Sequence, residues 1–324
     1  MTRSIVSCLF VFLLAALFAA GTVSAAPVET LNFGIISTES QAGLKSIWEP
    51  FLKDMERKLG MKVNAYFASD YAGIIEAMRF NKVHVAWYGN KSAIEAVDRA
   101  GGEVFVQTVD YQGNPGYWSL LITHRDSEIR SVDDIVKNGK KYIFGNGDPN
   151  STSGFLVPGY YVFALNDIDP ARHFKRTVNA NHETNALAVA NRQVDFATNN
   201  TENMDRLKKT HPDAYSKIRV IWKSPLIPSD PIVWRKDLPA DLKAKIKSFF
   251  LTYGKSEPEQ KILAGLQWSP FRESSNKQLI PIRQLELFKQ QVKIEKDEKM
   301  PADEKKKKLA KINADLEKLK KEAK

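Results

Sequence analysis

The chain of 324 residues carries one cysteine, Cys8, and that cysteine lies in an N-terminal segment expected to be removed. The mature protein then has no thiol, so a sizeable core must hold it together without disulfides. Long apolar runs are scarce too. After residues 5–20 no stretch approaches the ~20 apolar residues that a spanning helix needs. Paired histidines and carboxylates at ligand spacing are absent, which argues against a metal centre, and no cofactor is called for. A zinc-finger spacing and a basic groove with interleaved aromatics are likewise missing, which argues against nucleic acid as a partner. A serine hydrolase could in principle use Ser151 or Ser153 with His182 and Asp195. The nucleophile elbow, however, needs glycine two residues before the serine, where this chain has Pro149 or Ser151.

Much of what is present is organised simply. Arg3, the apolar run 5–20 and the small residues Val23 to Ala26 form a secretory signal, residues 1–26, which implies delivery to the periplasm. The formal charge is +10, but residues 289–324 alone carry 13 Lys against 8 Asp or Glu, a net of +5. That tail reads as a solvated helix. Its Leu309, Ile312, Leu316 and Leu319 make a narrow stripe, equally consistent with a frayed single helix and with a homodimer contact.

Between these ends the pattern is α/β. Residues 31–36 alternate as a strand, and Leu44, Ile47, Trp48, Phe51, Leu52 and Met55 recur at helical spacing. Further strands are expected at 63–67, 83–88, 104–109, 117–123, 174–178, 194–198, 218–222 and 232–235, with helices between many of them. A crossover at 123–125 and a return through Pro225, Pro228 and Pro231 give two domains. Residues 27–123 and 232–288 form the first lobe, and 124–231 the inserted second, joined by a two-segment hinge.

The most informative stretch is 145–154, GNGDPNSTSG. A strand feeds a glycine-rich turn, three hydroxyl residues follow, and a helix begins. Free amides and the dipole at a helix start favour an oxyanion, and the hydroxyls add donors. Serine at that position is also the ordinary N-cap, so Ser151 reads as a cap, an anion ligand, or both. Pro158-Gly159 implies that the helix is kinked or restarted. Taken alone, His182 reads as a surface-loop histidine, Tyr71 as a first-turn tyrosine, Glu202 as a dipole-favoured acid and Asp230 as a turn acid.

Several stretches together resemble the periplasmic phosphonate-binding proteins of phosphonate ABC transporters: 31–40 (LNFGIISTES), 70–73 (DYAG), 86–90 (AWYGN), 145–154, 182–188 (HETNALA), 199–203 (NNTEN) and 224–228 (SPLIP). The resemblance runs from about Leu31 to Phe288. It implies a two-lobed periplasmic binding fold that closes on an alkylphosphonate, with 2-aminoethylphosphonate favoured and an inner-membrane permease as partner. It also implies that Ser151, Thr152, Ser153, Tyr71 and His182 hold the phosphonate oxygens, while Glu202 and Asp230, with Tyr117 beside them, meet the ammonium. A binding protein for phosphate, phosphite or another oxyanion is the alternative. A sensory ectodomain would need a membrane anchor.

Overall fold

The computed structural model describes residues 28–323, so the expected signal segment lies outside the described residues. The chain opens with β1 (Thr30–Ile35), α1 (Gln41–Leu59), β2 (Lys62–Phe67), α2 (Tyr71–Arg79), β3 (Val85–Trp87), α3 (Asn90–Arg99) and β4 (Gly102–Asp110). β5 (Gly116–Tyr117), β6 (Ser119–His124), α4 (Val132–Asn138), β7 (Ile143–Asn146), α5 (Pro170–His173), β8 (Arg176–Asn179), α6 (His182–Ala190), β9 (Phe196–Asn200), α7 (Thr201–Thr210), α8 (Pro212–Ser216) and β10 (Ile218–Lys223) follow. The chain closes with β11 (Ile227–Pro228), β12 (Pro231–Arg235), α9 (Ala240–Thr252), α10 (Glu257–Gly265), β13 (Trp268–Glu273), α11 (Ile280–Glu295) and α12 (Ala302–Glu322).

The first sheet has six strands in the order β13-β4-β12-β3-β1-β2, and the second has five in the order β10-β6-β9-β7-β8. This is the two-lobed α/β architecture that the strand and helix pattern implied. The helical stripe on α1 buries Leu44, Trp48, Phe51, Leu52 and Met55, Ser40 caps its start by accepting from the Gly43 amide, and Gly60 ends it at φ 64°. Trp48 and Phe51 join Phe33 and Phe250 in an aromatic core beneath the first sheet.

The passage between lobes differs from the expected one. Residues 117–123 read as one strand of the first lobe, with the crossover after it. Instead β6 pairs with β9 and β10 in the second sheet, so the chain has already crossed by Ser119. Every residue of β6 is buried, and a continuously buried run does not record which sheet it joins. The crossing itself is a two-stranded ribbon in which Tyr117 pairs with Ile227 and Gly116 with Pro228. A Cβ on Gly116 would collide with the Ile227 carbonyl, so glycine is what lets the two hinge segments touch.

The tail also departs from expectation. α11 runs straight through residue 289, and α12 folds back along it. Ile312, Leu316 and Leu319 are buried within the chain itself. A stripe that pattern alone assigned to solvent or to a second copy is therefore covered by its own protein. Among the described residues no helix is long and apolar enough to cross a membrane.

Candidate functional site

The glycine-rich turn after β7 is held from behind by Asn185, whose side-chain nitrogen donates to the carbonyls of Gly145 and Asn146 at 3.3 and 3.0 Å. Gly147 N donates to Gly154 O at 3.0 Å, which closes the loop on itself. The expected helix start is a pair of wide turns on either side of Pro158, with Leu156 N donating to Ser151 O at 3.1 Å and Leu165 N to Tyr160 O at 3.2 Å. Five-residue spacing relieves the proline that an ordinary helix would exclude. Ser151 Oγ accepts from Gly154 N at 2.9 Å, so it is a cap.

The three hydroxyls are all buried, and two of them share one neighbour. Ser151 Oγ and Ser153 Oγ stand 3.4 and 3.5 Å from His182 Nε2. Ser153 Oγ also accepts from Asn200 Nδ2 at 3.1 Å. Thr152 Oγ1 reaches across the cleft and accepts from the Lys91 amide at the start of α3, at 2.9 Å. Tyr71, buried at the start of α2 in the first lobe, turns its hydroxyl toward Ser151. Burial, then Asp148 and Asp230, raise its pKa well above the ordinary phenol value, so it remains a donor.

His182 is not the surface residue that its place in the sequence suggested. It is buried at the start of α6, its carbonyl accepts from Asn199 Nδ2 at 2.9 Å, and burial pushes its pKa down to about 4. It is therefore a neutral imidazole at neutral pH, with Nδ1 lacking a hydrogen-bond partner. Asp195, the acid of the hydrolase alternative, accepts from the Ile143 amide at 2.6 Å and does not orient this ring.

The opposite end is acidic. Tyr117 on the hinge ribbon donates to Asp230 Oδ1 at 3.0 Å. Asp230 is buried, and desolvation, then the Glu202 charge, push its carboxyl well above the carboxylate range. The Trp87 indole lies beside that carboxylate and favours its charge, although its N–H makes no hydrogen bond of ordinary geometry. Glu202, in the first turn of α7, is raised to about 7. Loss of solvation dominates, Arg206 one turn further on opposes it, and Asp110, Asp205 and Glu39 add to it. A small cavity of 30 Å³ separates the two ends, with His182 on one wall and Glu202 on another.

Of the eight residues expected at the site, His182 and Glu202 line this cavity, Ser151 and Ser153 stand beside His182, Tyr117 holds Asp230, and the Thr152 hydroxyl is taken up by the Lys91 amide. Others were not foreseen. Glu39, in the loop after β1, forms a buried ion pair at 2.6 Å with Arg206 Nε across the cleft. Arg206 Nη2 donates to Gln267 Oε1 at 3.0 Å, Ser40 N to Glu183 Oε2 at 2.7 Å, and Tyr71 N to Asp148 Oδ2 at 3.2 Å. Each bond joins one lobe to the other, so the lobes are closed. The signals were present: Glu39 follows the carboxyl end of a strand, where such sheets place ligands, and Arg206 is one helical turn from Glu202.

The family model described as the periplasmic substrate-binding protein of a phosphonate ABC transporter matches residues 33–279. The chain is 61% identical over 291 residues to a phosphonates-binding periplasmic protein of Escherichia coli, covering 90% of this chain and 86% of that protein. A crystal structure of a binding protein component of an ABC phosphonate transporter from Pseudomonas aeruginosa is 59% identical. It superposes with a TM-score of 0.89 over 90% of this chain and 97% of that one. A phosphate-import protein of Mycolicibacterium smegmatis is 28% identical over 68% of this chain and 71% of its own length.

Proposed function

The chain belongs to the periplasmic substrate-binding proteins of phosphonate ABC transporters, and from that premise we propose that 2-aminoethylphosphonate is the ligand it captures best. The family is a non-enzymatic transport component: it binds in the periplasm and hands its ligand to a permease. An N-terminal signal in residues 1–26 would deliver it there.

In this reading Ser151, Thr152, Ser153, Tyr71 and His182 surround the phosphonate oxygens. Hydroxyls, amides and one neutral imidazole supply donors without a full positive charge. A dianion beside His182 favours the imidazolium, so the ring gains a proton or keeps its single N–H pointed at an oxygen. The ligand ammonium enters between Glu202 and Asp230. One cation there lowers both raised carboxyl pKa values and adds an ion pair to Asp230, which already accepts from Tyr117, and to Glu202.

The observation that carries this reading is the pair of carboxylates, buried Asp230 from one lobe and half-buried Glu202 from the other, across the small cavity from His182. Inorganic phosphate would leave both acids unpaired or protonated, and an unpaired buried charge costs more than a missing contact. Lobe closure, held by the Glu39–Arg206 pair, is the state that the permease reads.

The test is calorimetric. Replacing Glu202 with Gln or Asp230 with Asn should weaken 2-aminoethylphosphonate by about 2–5 kcal/mol while changing ethylphosphonate little. Equal losses for both ligands would sink the ammonium assignment. One observation favours a second reading, an oxyanion receptor for phosphate or phosphite: a carboxyl raised as far as Asp230 could donate its proton to a phosphate oxygen. Phosphate binding as tight as that of 2-aminoethylphosphonate would support it.

A further inference from the structure

The contacts that join the two lobes are of two kinds. Those at the lip of the cleft are polar: Glu39 with Arg206, Ser40 with Glu183, and Gln112 Nε2 donating to Asp205 Oδ2 at 3.1 Å. The other kind is apolar. In the wide turns that follow the hydroxyl seat, Val162 and Phe163 pack with Phe144 and Phe174 in the core of the second lobe, whereas Leu156 and Val157, each 2% exposed, join the core of the first. One short segment is thus shared between two cores.

α11 runs along this seam from the first lobe to the second. Ile282 and Leu285 are buried in the first-lobe core, and Arg283 holds Asp98 of α3 through two bonds of 2.6 Å. The helix begins beside the hinge. Gln278 Nε2 donates to the Ser229 carbonyl and to Asn90 Oδ1, both at 3.1 Å, and Asn90 Nδ2 in turn donates to Pro228 O of the hinge ribbon at 2.8 Å. Its far half meets the second lobe. Lys289 Nζ stands 4.8 Å from the centre of the Phe155 ring, Phe288 tilts against Tyr160 with centroids 6.3 Å apart, and Lys296 Nζ donates to Ala164 O at 3.1 Å, where the wide turns end. The Lys289 ammonium also lies against Gly159, where a Cβ would come within 2.5 Å of it.

We propose that this apolar seam is a third, non-covalent component of the hinge, which stays shut while the polar lip of the cleft opens. Parting the lip exchanges polar partners for water at little net cost, whereas parting the seam exposes Leu156 and Val157 and forfeits their burial. The lobes therefore roll about the ribbon and the seam together. Motion near a pivot is small, so Ser151, Thr152 and Ser153, which lead into the seam, stay close to the first lobe in the open protein while Glu39 and Arg206 move far apart. Phosphonate oxygens then meet a seat that exists before closure. This inference needs only that a phosphonate closes the lobes and is independent of the ammonium assignment.

The mature chain has no cysteine, so paired spin labels can be placed on it without background. One full-length mature variant carries Leu165→Cys and Glu295→Cys, at exposed positions flanking the seam. Another carries Gln112→Cys and Lys209→Cys at the lip, where Lys209 Nζ lies 5.1 Å from the centre of the Tyr111 ring. Distances are measured by pulsed electron paramagnetic resonance without ligand and with saturating 2-aminoethylphosphonate or ethylphosphonate. Without ligand the lip pair should lengthen by about 10 Å, and the seam pair should change by less than about 3 Å. A seam pair that lengthens with the lip pair would make α11 a clasp released on opening, and a lip pair that does not move would remove the pivot. Either result overturns the proposal. A tether gives a second reading: Gly159→Cys joined to Lys289→Cys by a short bifunctional thiol reagent should bind ethylphosphonate within about threefold of the untethered variant. Loss of binding in the tethered protein would show that the seam must part.

Discussion

At the His182 end of the cleft the groups that converge are hydroxyls, a phenol and a neutral imidazole, whereas at the Glu202 end they are carboxylates pushed above their ordinary range by burial. The first set would accept any tetrahedral oxyanion, because neutral donors adapt to many oxygen acceptors. The second set would discriminate, because desolvated acids penalise a ligand that brings no positive charge. In the proposed reading affinity and selectivity sit at opposite ends of one cleft, and each can be broken separately.

The largest loss common to all ligands should come from Ser151→Ala. It removes both a cap and a donor to the oxyanion, at about 1 kcal/mol for the cap and about 1.5–3 kcal/mol for a hydrogen bond to a charged group. 2-Aminoethylphosphonate and ethylphosphonate should weaken alike, by roughly 100-fold in calorimetry. A loss restricted to the amine would contradict the division between the two ends.

Next in size is Glu39→Gln. Breaking a buried ion pair inside a fixed core costs about 3–5 kcal/mol, but this pair spans the cleft and rehydrates when the lobes part, so roughly a tenfold loss for both ligands is expected. Small-angle scattering of the ligand-bound variant should show a larger radius of gyration than the wild type. An unchanged radius would remove the latch from the account.

The pH dependence sharpens the comparison further. With its carboxyl raised to about 7, Glu202 in the free protein takes up a proton as pH falls below that value, and an ammonium must then displace it. Affinity for 2-aminoethylphosphonate relative to ethylphosphonate should fall as pH drops below about 7, because the raised carboxyls of Glu202 and Asp230 then hold protons that the ammonium must displace. The ammonium makes the phosphonate of 2-aminoethylphosphonate more acidic than that of ethylphosphonate, so the ratio is compared with that of Glu202→Gln, which removes the Glu202 carboxyl and keeps every other titration. A ratio that stays flat from pH 5 to 8 would argue against an ionised Glu202 as partner.

The smallest effect on affinity, none, is expected from Leu316→Ala on α12. Removing a buried leucine there should cost about 2–3 kcal/mol of stability, seen in thermal unfolding, without altering titrations of either ligand.

The two ends also differ in how far the residues alone revealed them. The seat at 145–154 is local, since glycine, hydroxyls and the helix start follow one another along the chain, and a reader of the sequence meets the whole motif at once. Glu202 and Asp230 come from different lobes, and each is an ordinary helix-start or turn acid until the hinge ribbon brings them together. Their pairing was carried by family resemblance, not by spacing. The Glu39–Arg206 pair was missed because it depends on closure, and the burial of His182 because it packs against Ser151, Ser153 and Asn199, which the chain alone does not bring beside it. The π-helical turns beside Pro158 and the membership of β6 in the second sheet were hidden differently. A proline marks an interruption but not its form, and a fully buried strand carries no record of its neighbours.

The most direct test is a parallel calorimetric titration of the ligand-free wild-type protein with 2-aminoethylphosphonate, ethylphosphonate and inorganic phosphate near neutral pH. Selectivity residing in the carboxylate pair predicts that the amine binds about 100-fold tighter than ethylphosphonate, with phosphate weaker still. Ethylphosphonate or phosphate binding as tightly as the amine would contradict it.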